Sequence, residues 1–295
     1  MQKNQPEIKQ IELEDGWRDI VQKARQGFGW SLHHAAEAAG LSFETLEHWE
    51  SGGGAPPPLD QLASLARVLR LDPIKLARIQ AGEWRPTPTR SGPPESSIQT
   101  RVLTGHMGTY PVHGYLLSRE GSPDAILVDT AYEPKHALDA VLQGRLMLRW
   151  IVLTHCHRDH MEGASFLKAQ TGARVAVPRE ECPVYRAHHR ESPDLAVMPD
   201  DTIDVGPGLS LHALSTPGHT AGGTSYFVNG VCCVGDALFA GSTGRSMSPQ
   251  GYTALLHSLR ERVLSLAPDT ILCPGHGPLT TVGEELKHNP FFPTP

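Results

Sequence analysis

The chain has 295 residues, a length that suits two domains better than one. Apolar residues make up 39% of the chain and charged residues 20%, as is typical of a globular protein with a substantial core. The formal net charge of −6 does not favour a nucleic-acid binder. Since no apolar run approaches the ~20 residues of a membrane span, and the N-terminus lacks an apolar signal core, we expect no membrane partner.

The number and spacing of the cysteines indicate the redox state of the cellular compartment. There are 5 of them, an odd number, and their spacings match no disulfide scaffold. A reducing cytoplasm is therefore the expected location.

The N-terminal part of the chain is predicted to be helical. Residues 1–14 are polar and are expected to form a flexible tail. Residues 15–82 then show helical periodicity throughout, with Ser31 and Ser42 as N-caps and Gly40 as a helix stop. Since no strand pattern is present in this range, it is predicted to be a small all-α domain.

A linker and a second pattern follow. Residues 83–97, "EWRPTPTRSGPPESS", are rich in Pro, Ser and Thr, which predicts an extended linker. From residue 98 to 295, short β-like runs such as "AILVDT", "WIVLTH" and "RVAVP" alternate with helical stretches. The Asn229-Gly230 pair in "FVNGV" predicts a hairpin. The fold class is therefore α+β, with a mixed α/β domain after the helical one.

Four potential metal ligands lie together in "LTHCHRDHMEG". His155, His157, Asp159 and His160 follow a β-like run and precede a helix predicted to begin near Met161. Imidazole and carboxylate groups are the ligands that zinc, iron or manganese accept. Histidines two positions apart point in opposite directions on a strand, so this segment is predicted to be a loop. A hydrated, histidine-rich surface loop is the alternative.

Three further segments place one potential ligand each beside a β-like run. His219 lies in "STPGHT", Asp236 in "VCCVGDALF" and His276 in "TILCPGHGP". The neighbouring glycines allow the backbone to turn sharply and to approach closely. Each residue taken singly is more often an ordinary turn residue. Together with the first cluster they predict one metal centre.

The motifs "THCHRDH", "TPGHT", "GDALF" and "PGHGP", in this order, resemble the metallo-β-lactamase superfamily over residues 98–295. The resemblance implies an αββα sandwich with its metals at one edge of two facing sheets. It also implies that a first metal is bound by His155, His157 and His219. A second metal would be bound by Asp159, His160 and His276, and Asp236 would bridge the two.

This ligand set implies two zinc ions, or alternatively iron or manganese, that share a hydroxide which attacks a carbonyl group. Asp159 would also have a catalytic role, because it could orient the hydroxide or move its proton. Cys156, inside the cluster, is expected to pack away from the metals. Asp129, at the end of "AILVDT", resembles the family aspartate that hydrogen-bonds a ligand imidazole. The turn after it, Thr130-Ala131, departs from the family pattern and leaves that role open.

The stretch "GDALFAGSTGRS" is most similar to glyoxalase II-type hydrolases, which cleave thioesters such as S-lactoylglutathione. The resemblance implies a small thioester or ester as substrate, with Arg245 as a candidate for its anionic part. Lactone hydrolases share the same ligand set and remain an alternative. Persulfide dioxygenases, which use one iron, are another.

The segment "AAGLSFETLEHWESG" resembles the helix-turn-helix of the Cro/C1-type (XRE) family. This implies that Ser42, Glu44, Thr45 and His48 face DNA. Residues 15–85 contain 8 basic and 9 acidic residues, whereas phosphate contacts require cations. The alternatives are therefore a transcriptional regulator with a metabolite-sensing hydrolase domain, or a helical domain used for partner binding or to form a homodimer.

Overall fold

The computed structural model describes residues 12–87 and 97–293. Its N-terminal part is all-α, as predicted. The five helices are α1 (Trp17–Gly27), α2 (Leu32–Ala39), α3 (Phe43–Glu50), α4 (Leu59–Val68) and α5 (Pro73–Ala81).

The predicted helix ends are confirmed by their capping contacts. The Ser31 hydroxyl accepts a hydrogen bond from the backbone N–H of His34, and Gly40 ends α2 in the left-handed region, at φ 69°. The Ser42 hydroxyl accepts from the N–H of Thr45 at the start of α3. These contacts satisfy backbone groups that a helix end leaves unpaired.

The C-terminal part contains two six-stranded sheets. The first sheet has its strands in chain order: β1 (Ile98–Met107), β2 (Tyr110–Arg119), β3 (Asp124–Val128), β4 (Met147–Val152), β5 (Arg174–Pro178) and β6 (Leu195–Val197). Strands β1 to β3 are antiparallel, whereas β3 to β6 are parallel.

The strands of the second sheet are β7 (Thr202–Gly206), β8 (Leu209–Ser215), β9 (Thr224–Val228), β10 (Val231–Gly235), β13 (Ile271–Pro274) and β14 (Thr280–Thr281). Their order across the sheet is β14-β13-β10-β9-β8-β7. The predicted hairpin joins β9 and β10, with Asn229 at φ 41° and Gly230 at φ 82°. A small separate pair consists of β11 (Leu238–Phe239) and β12 (Ser242–Thr243).

The helices of this part are α6 (Pro134–Gln143), α7 (Arg158–Met161), α8 (Ala164–Thr171), α9 (Cys182–His189), α10 (Pro249–Ser258) and α11 (Val282–His288). A π-helical turn, Leu259–Val263, continues α10. Among the described residues, none of the helices combines the length and the apolar character needed to cross a membrane.

Three apolar clusters define the layers. The first joins the facing sides of the two sheets, with Tyr115 and Tyr226 among its buried members. The second packs α6, α8 and α9 against the outer side of the first sheet. The third joins the outer side of the second sheet to α10 and to α1–α5. The predicted αββα sandwich is therefore confirmed, and the helical domain shares a core with one of its helical layers.

The borders of the helical domain also contact the sandwich. At the start of the predicted linker, the buried Trp84 donates a hydrogen bond from Nε1 to Glu284 of α11 at 2.7 Å. The rest of that linker, residues 88–96, lies outside the described residues, as do residues 1–11 of the predicted tail. The structure does describe the end of the tail, where Glu14 is half-buried and packs against Gly277. The backbone N of Glu14 lies 3.1 Å from the position that a Cβ on Gly277 would occupy.

Candidate metal centre

Strand ends bring the potential ligands to one edge of the sandwich. Asp236 follows β10 directly, and His276 lies two residues after β13. Because β10 and β13 are parallel neighbours, their carboxyl ends lie side by side. His219 lies in the loop between β8 and β9, and His155 in the loop after β4 of the facing sheet.

The first ligand segment is partly a loop, as predicted, and partly helical. His155 and His157 precede α7, but Asp159 and His160 lie on that single helical turn. The predicted start of a helix near Met161 was therefore late, since α7 begins at Arg158 and the longer α8 begins only at Ala164. Turning the chain by one helical turn places Asp159 and His160 beside a second group of ligands rather than beside His155 and His157.

Four side chains form the first group: His155, His157, His219 and Asp236. His157 Nδ1 lies 3.0 Å from His155 Nε2 and 3.0 Å from His219 Nε2. Asp236 Oδ2 lies 3.5 Å from His219 Nε2. Ligand atoms about 2.0–2.1 Å from a tetrahedral zinc lie about 3.3 Å from one another, so these spacings suit a metal ion.

Asp159, His160 and His276 form the second group. Asp159 Oδ2 lies 3.4 Å from His276 Nε2 and 3.8 Å from His160 Nε2. Asp236 lies between the groups, because its Oδ1 is 3.2 Å from His160 Nε2 while its Oδ2 faces His219. All seven predicted ligands are therefore brought together, in the arrangement that a bridging carboxylate requires.

Two atoms of this cluster indicate that the residues fit a bound cation. His160 Nε2 and Asp236 Oδ1 are buried, and neither has a hydrogen-bond partner among the described residues. An unpaired buried polar atom is costly. A metal ion between these atoms would satisfy both of them.

A glycine leaves the space for this arrangement. A Cβ on Gly275 would lie 2.2 Å from Asp236 Oδ1 and 2.5 Å from His160 Cε1. The "PGHG" motif thus lets the backbone of β13 approach the ligands closely, as the sequence predicted.

Burial and neighbouring charges shift the pKa values of the ligands in opposite directions. Burial favours the neutral form of Asp236, but His160 and His276 outweigh it and hold the pKa of this carboxyl well below its usual value. Burial lowers the pKa of His155 well below its usual value, and nearby His160 adds to this. Burial opposes a charge on His276, yet the neighbouring carboxylates of Asp159 and Asp236 raise its pKa to about 10. Metal binding therefore has to displace protons from this centre.

Asp129 forms hydrogen bonds with residues of the first ligand segment. Its Oδ2 lies 2.9 Å from His160 Nδ1 and accepts a hydrogen bond from the Thr154 hydroxyl at 2.7 Å. Its Oδ1 accepts from the Thr154 backbone N–H at 2.8 Å. The contact with a ligand imidazole that the family resemblance left open is thus present. Thr130 adds a hydrogen bond from its hydroxyl to the His160 carbonyl at 2.8 Å.

Sequence reasoning missed Glu181, which joins two ligand loops. The carboxylate is buried and accepts a hydrogen bond from Cys156 N at 3.1 Å and another from Gly222 N at 2.9 Å. It therefore ties the loop of His155 and His157 to the loop of His219. No sequence motif marks this residue, and the Cys156 side chain is buried in the core as expected.

His113 was missed as well. Its backbone N–H donates to the Gly275 carbonyl at 2.8 Å, and its Nδ1 lies 3.0 Å from the Thr104 hydroxyl. Burial and the neighbouring His276 lower its pKa to about 4, so the ring is neutral at physiological pH. His113 is therefore a neutral polar group beside the second ligand group.

The candidate substrate residue Arg245 lies beside the first group. Its backbone carbonyl lies 2.8 Å from His219 Nδ1, which sets the orientation of that ring. Its guanidinium points toward the helical domain, where Gln22 and Gln26 of α1 accept its hydrogen bonds.

The four candidate DNA contacts lie at the start and along one side of α3. Ser42, Glu44 and His48 are exposed and Thr45 is half-buried. The Ser42 hydroxyl is used as the helix cap and lies 3.0 Å from the Thr45 hydroxyl.

Several basic side chains of the helical domain contact other groups of the protein. Lys23 is paired with Asp15, and Arg25 with Glu50 at 2.6 Å. Lys75 donates to the backbone carbonyls of the sandwich.

Comparison with known proteins agrees with the fold. The Metallo-beta-lactamase superfamily model matches residues 102–276, and the chain belongs to this superfamily. A Helix-turn-helix family model matches residues 21–76. The superfamily and the ligand cluster together define a metal-dependent hydrolase domain that follows a helix-turn-helix region.

The chain is also similar to individual proteins of known name or structure. Hydroxyacylglutathione hydrolase GloC of Haemophilus influenzae is 31% identical over an alignment of 185 positions, and the match covers 57% of this chain and 87% of that protein. The mitochondrial persulfide dioxygenase ETHE1 of Homo sapiens is also 31% identical over an alignment of 185 positions, and the match covers 60% of this chain and 69% of that protein. The crystal structure of TTHA1623 in a di-iron-bound form has a TM-score of 0.52 and 29% identity, and the match covers 64% of this chain and 100% of that one.

Proposed function

We propose that the protein hydrolyses a small thioester or ester with two zinc ions, in the manner of a hydroxyacylglutathione hydrolase. The observation that carries this proposal is the complete set of seven side chains in two groups, with Asp236 between them. Similarity to a hydroxyacylglutathione hydrolase over most of that relative's length supports the thioester.

Two bound zinc ions would lower the pKa of a shared water molecule to about neutral and polarise the carbonyl group of the substrate. The chain's own residues arrange the site around them. Asp129 fixes His160, and the Arg245 carbonyl fixes His219. Burial opposes ionisation of Asp159, but its hydrogen bond to His276 keeps the pKa of this carboxyl below its usual value. Asp159 is therefore ionised, and it can accept a proton from the attacking water.

A persulfide dioxygenase is the second candidate, because human ETHE1 is a relative of similar identity. Family resemblance implies one iron for that activity. The second group, Asp159, His160 and His276, would then hold no metal. The number of metal ions bound per chain therefore distinguishes the two candidates.

An assay of both reactions separates the candidates. We expect zinc-loaded protein to release thiol from S-lactoylglutathione, and Asp159→Asn to lower kcat by about 100-fold because the proton acceptor is lost. Asp139→Asn, a change at an exposed aspartate of α6, is the matched control and should behave as wild type. Iron-loaded protein that consumes oxygen with glutathione persulfide, while the zinc form cleaves no thioester, would establish the second candidate instead.

The helical domain retains a predicted DNA-binding role from its family match. Lys23, Arg25 and Lys75 are buried, so these cations cannot contact phosphates. Lys23 and Lys75 donate instead to backbone carbonyls of the sandwich, which favours a role in which the domain stays attached to it.

A further inference from the structure

Helix α1 lies along the loop that follows Asp236. Arg245, in this loop, donates a hydrogen bond to Gln22 Oε1 at 2.8 Å, and its other terminal nitrogen donates to Gln26 Oε1. Lys23, on the same helix, donates to the Thr243 carbonyl at 2.8 Å. One face of α1 therefore holds the loop at two points.

The same segment reaches the second ligand group. Glu14, just before α1, packs against Gly277, the residue after the ligand His276. At the other end, Arg245 contacts His219 of the first group through its carbonyl. Residues 14–26 thus contact the loops that follow Asp236 and His276, beside both groups of ligands.

Arg245 differs from the basic residues of α1 in the partners of its side chain. Within the part of the chain that the structure describes, no carboxylate forms an ion pair with Arg245, and its two side-chain partners are neutral amides. By contrast, Lys23 and Arg25 of the same helix each pair with a carboxylate. Arg245 is half-buried, so its guanidinium is a partly desolvated cation that an anion would stabilise.

We propose that Gln22 and Gln26 are positioning residues that hold Arg245 as the receptor for an anionic group on the substrate. This inference rests on the proposed thioesterase function and names its substrate class, a thioester whose thiol part carries a carboxylate. The helical domain then contributes to specificity through its first helix.

Charge-changing variants of nearly the same shape test the proposal. In Gln22→Glu/Gln26→Glu, two carboxylates would pair with Arg245 and occupy it. We expect KM for S-lactoylglutathione to rise about tenfold or more, as befits the loss of a charged hydrogen bond. For the lactate thioester of N-acetylcysteamine, which has no carboxylate, KM and kcat should stay as in wild type.

Two further variants serve as controls. Gln61→Glu on α4 adds the same kind of charge elsewhere in the helical domain and should change neither substrate's kinetics. Arg245→Lys should raise KM for the anionic substrate alone, because an ammonium group does not bind a carboxylate through two parallel hydrogen bonds. Equal losses on both thioesters, or bound zinc lost from the double variant, would show that the glutamines only stabilise the fold and would overturn the proposal.

Ligand binding separates this inference from the proposed function. If the wild-type protein cleaves neither thioester, the proposed function fails, and calorimetry with S-methylglutathione then decides the inference. Binding to the zinc-loaded wild type that weakens about tenfold in Gln22→Glu/Gln26→Glu supports an anion receptor at Arg245. Equal binding to both proteins, or no binding to either, refutes it.

Discussion

Asp129 shows how a residue outside the ligand set controls the centre. Its backbone has φ 56°, an uncommon value for a residue other than glycine. This conformation accompanies a carboxylate that contacts Thr154 through both oxygens and His160 through one. Asp129 therefore leaves Nε2 as the ring nitrogen with which His160 would bind a metal ion.

We expect Asp129→Asn to lower zinc affinity by about 10-fold to 100-fold, the usual effect of removing such a partner of a metal-binding histidine. The amide would also offer an N–H group where Thr154 and His160 both need an acceptor. Competition with a zinc chelator measures the change. Asp139→Asn serves as the control at an exposed site, and unchanged affinity in Asp129→Asn would contradict this role.

The residues that sequence analysis predicted share a local signal. His155, His219 and His276 lie in short motifs with a glycine, a proline or a second ligand close by. Glu181 and His113 have no such signal, because their partners come from distant parts of the chain. Only the fold shows that they belong to the centre.

At the scale of elements, buried runs were easy to predict. Strands β3, β5 and β10 and the second half of β4 are almost entirely buried, since each is covered by the facing sheet and by helices. Strands β1, β6 and β7 were not predicted individually: β6 has only three residues, and β1 and β7 contain exposed residues instead of a continuous apolar run. The single turn α7 is too short for a helical period to be read.

Helix α1 illustrates what periodicity cannot supply. The sequence predicted helical structure in this range. It did not predict that Gln22, Lys23 and Gln26 would face the catalytic loop, because the partners of these side chains lie more than two hundred residues away in the sequence.

At the scale of the whole molecule, the sequence indicated two domains joined by a linker, whereas the structure shows a shared core. Trp17, Leu46 and Leu76 of the helical domain belong to the same cluster as Leu255 and Leu272 of the sandwich. The backbone also crosses the border, since the Asp72 N–H donates to the Pro290 carbonyl at 2.8 Å. The helical domain and the sandwich should therefore depend on each other for stability.

We expect the whole chain to unfold in one cooperative transition, with tryptophan fluorescence and circular dichroism giving the same midpoint in urea. Lys75→Met should lower the free energy of unfolding by about 1–3 kcal/mol, because the Leu286 and Phe292 carbonyls lose their buried donor. Arg78→Met, at an exposed position of the same helix, should have little effect. Two separate transitions would show that the domains fold independently.

The metal content of the purified chain tests the account most directly. Protein loaded with zinc, freed of excess metal and analysed by elemental mass spectrometry should hold two zinc ions per chain, because both groups of ligands are complete and Asp236 lies between them. Asp236→Ala should hold fewer, since it removes the shared ligand. One metal ion per chain in the wild type, or none, would contradict the two-metal centre on which the proposed hydrolysis depends.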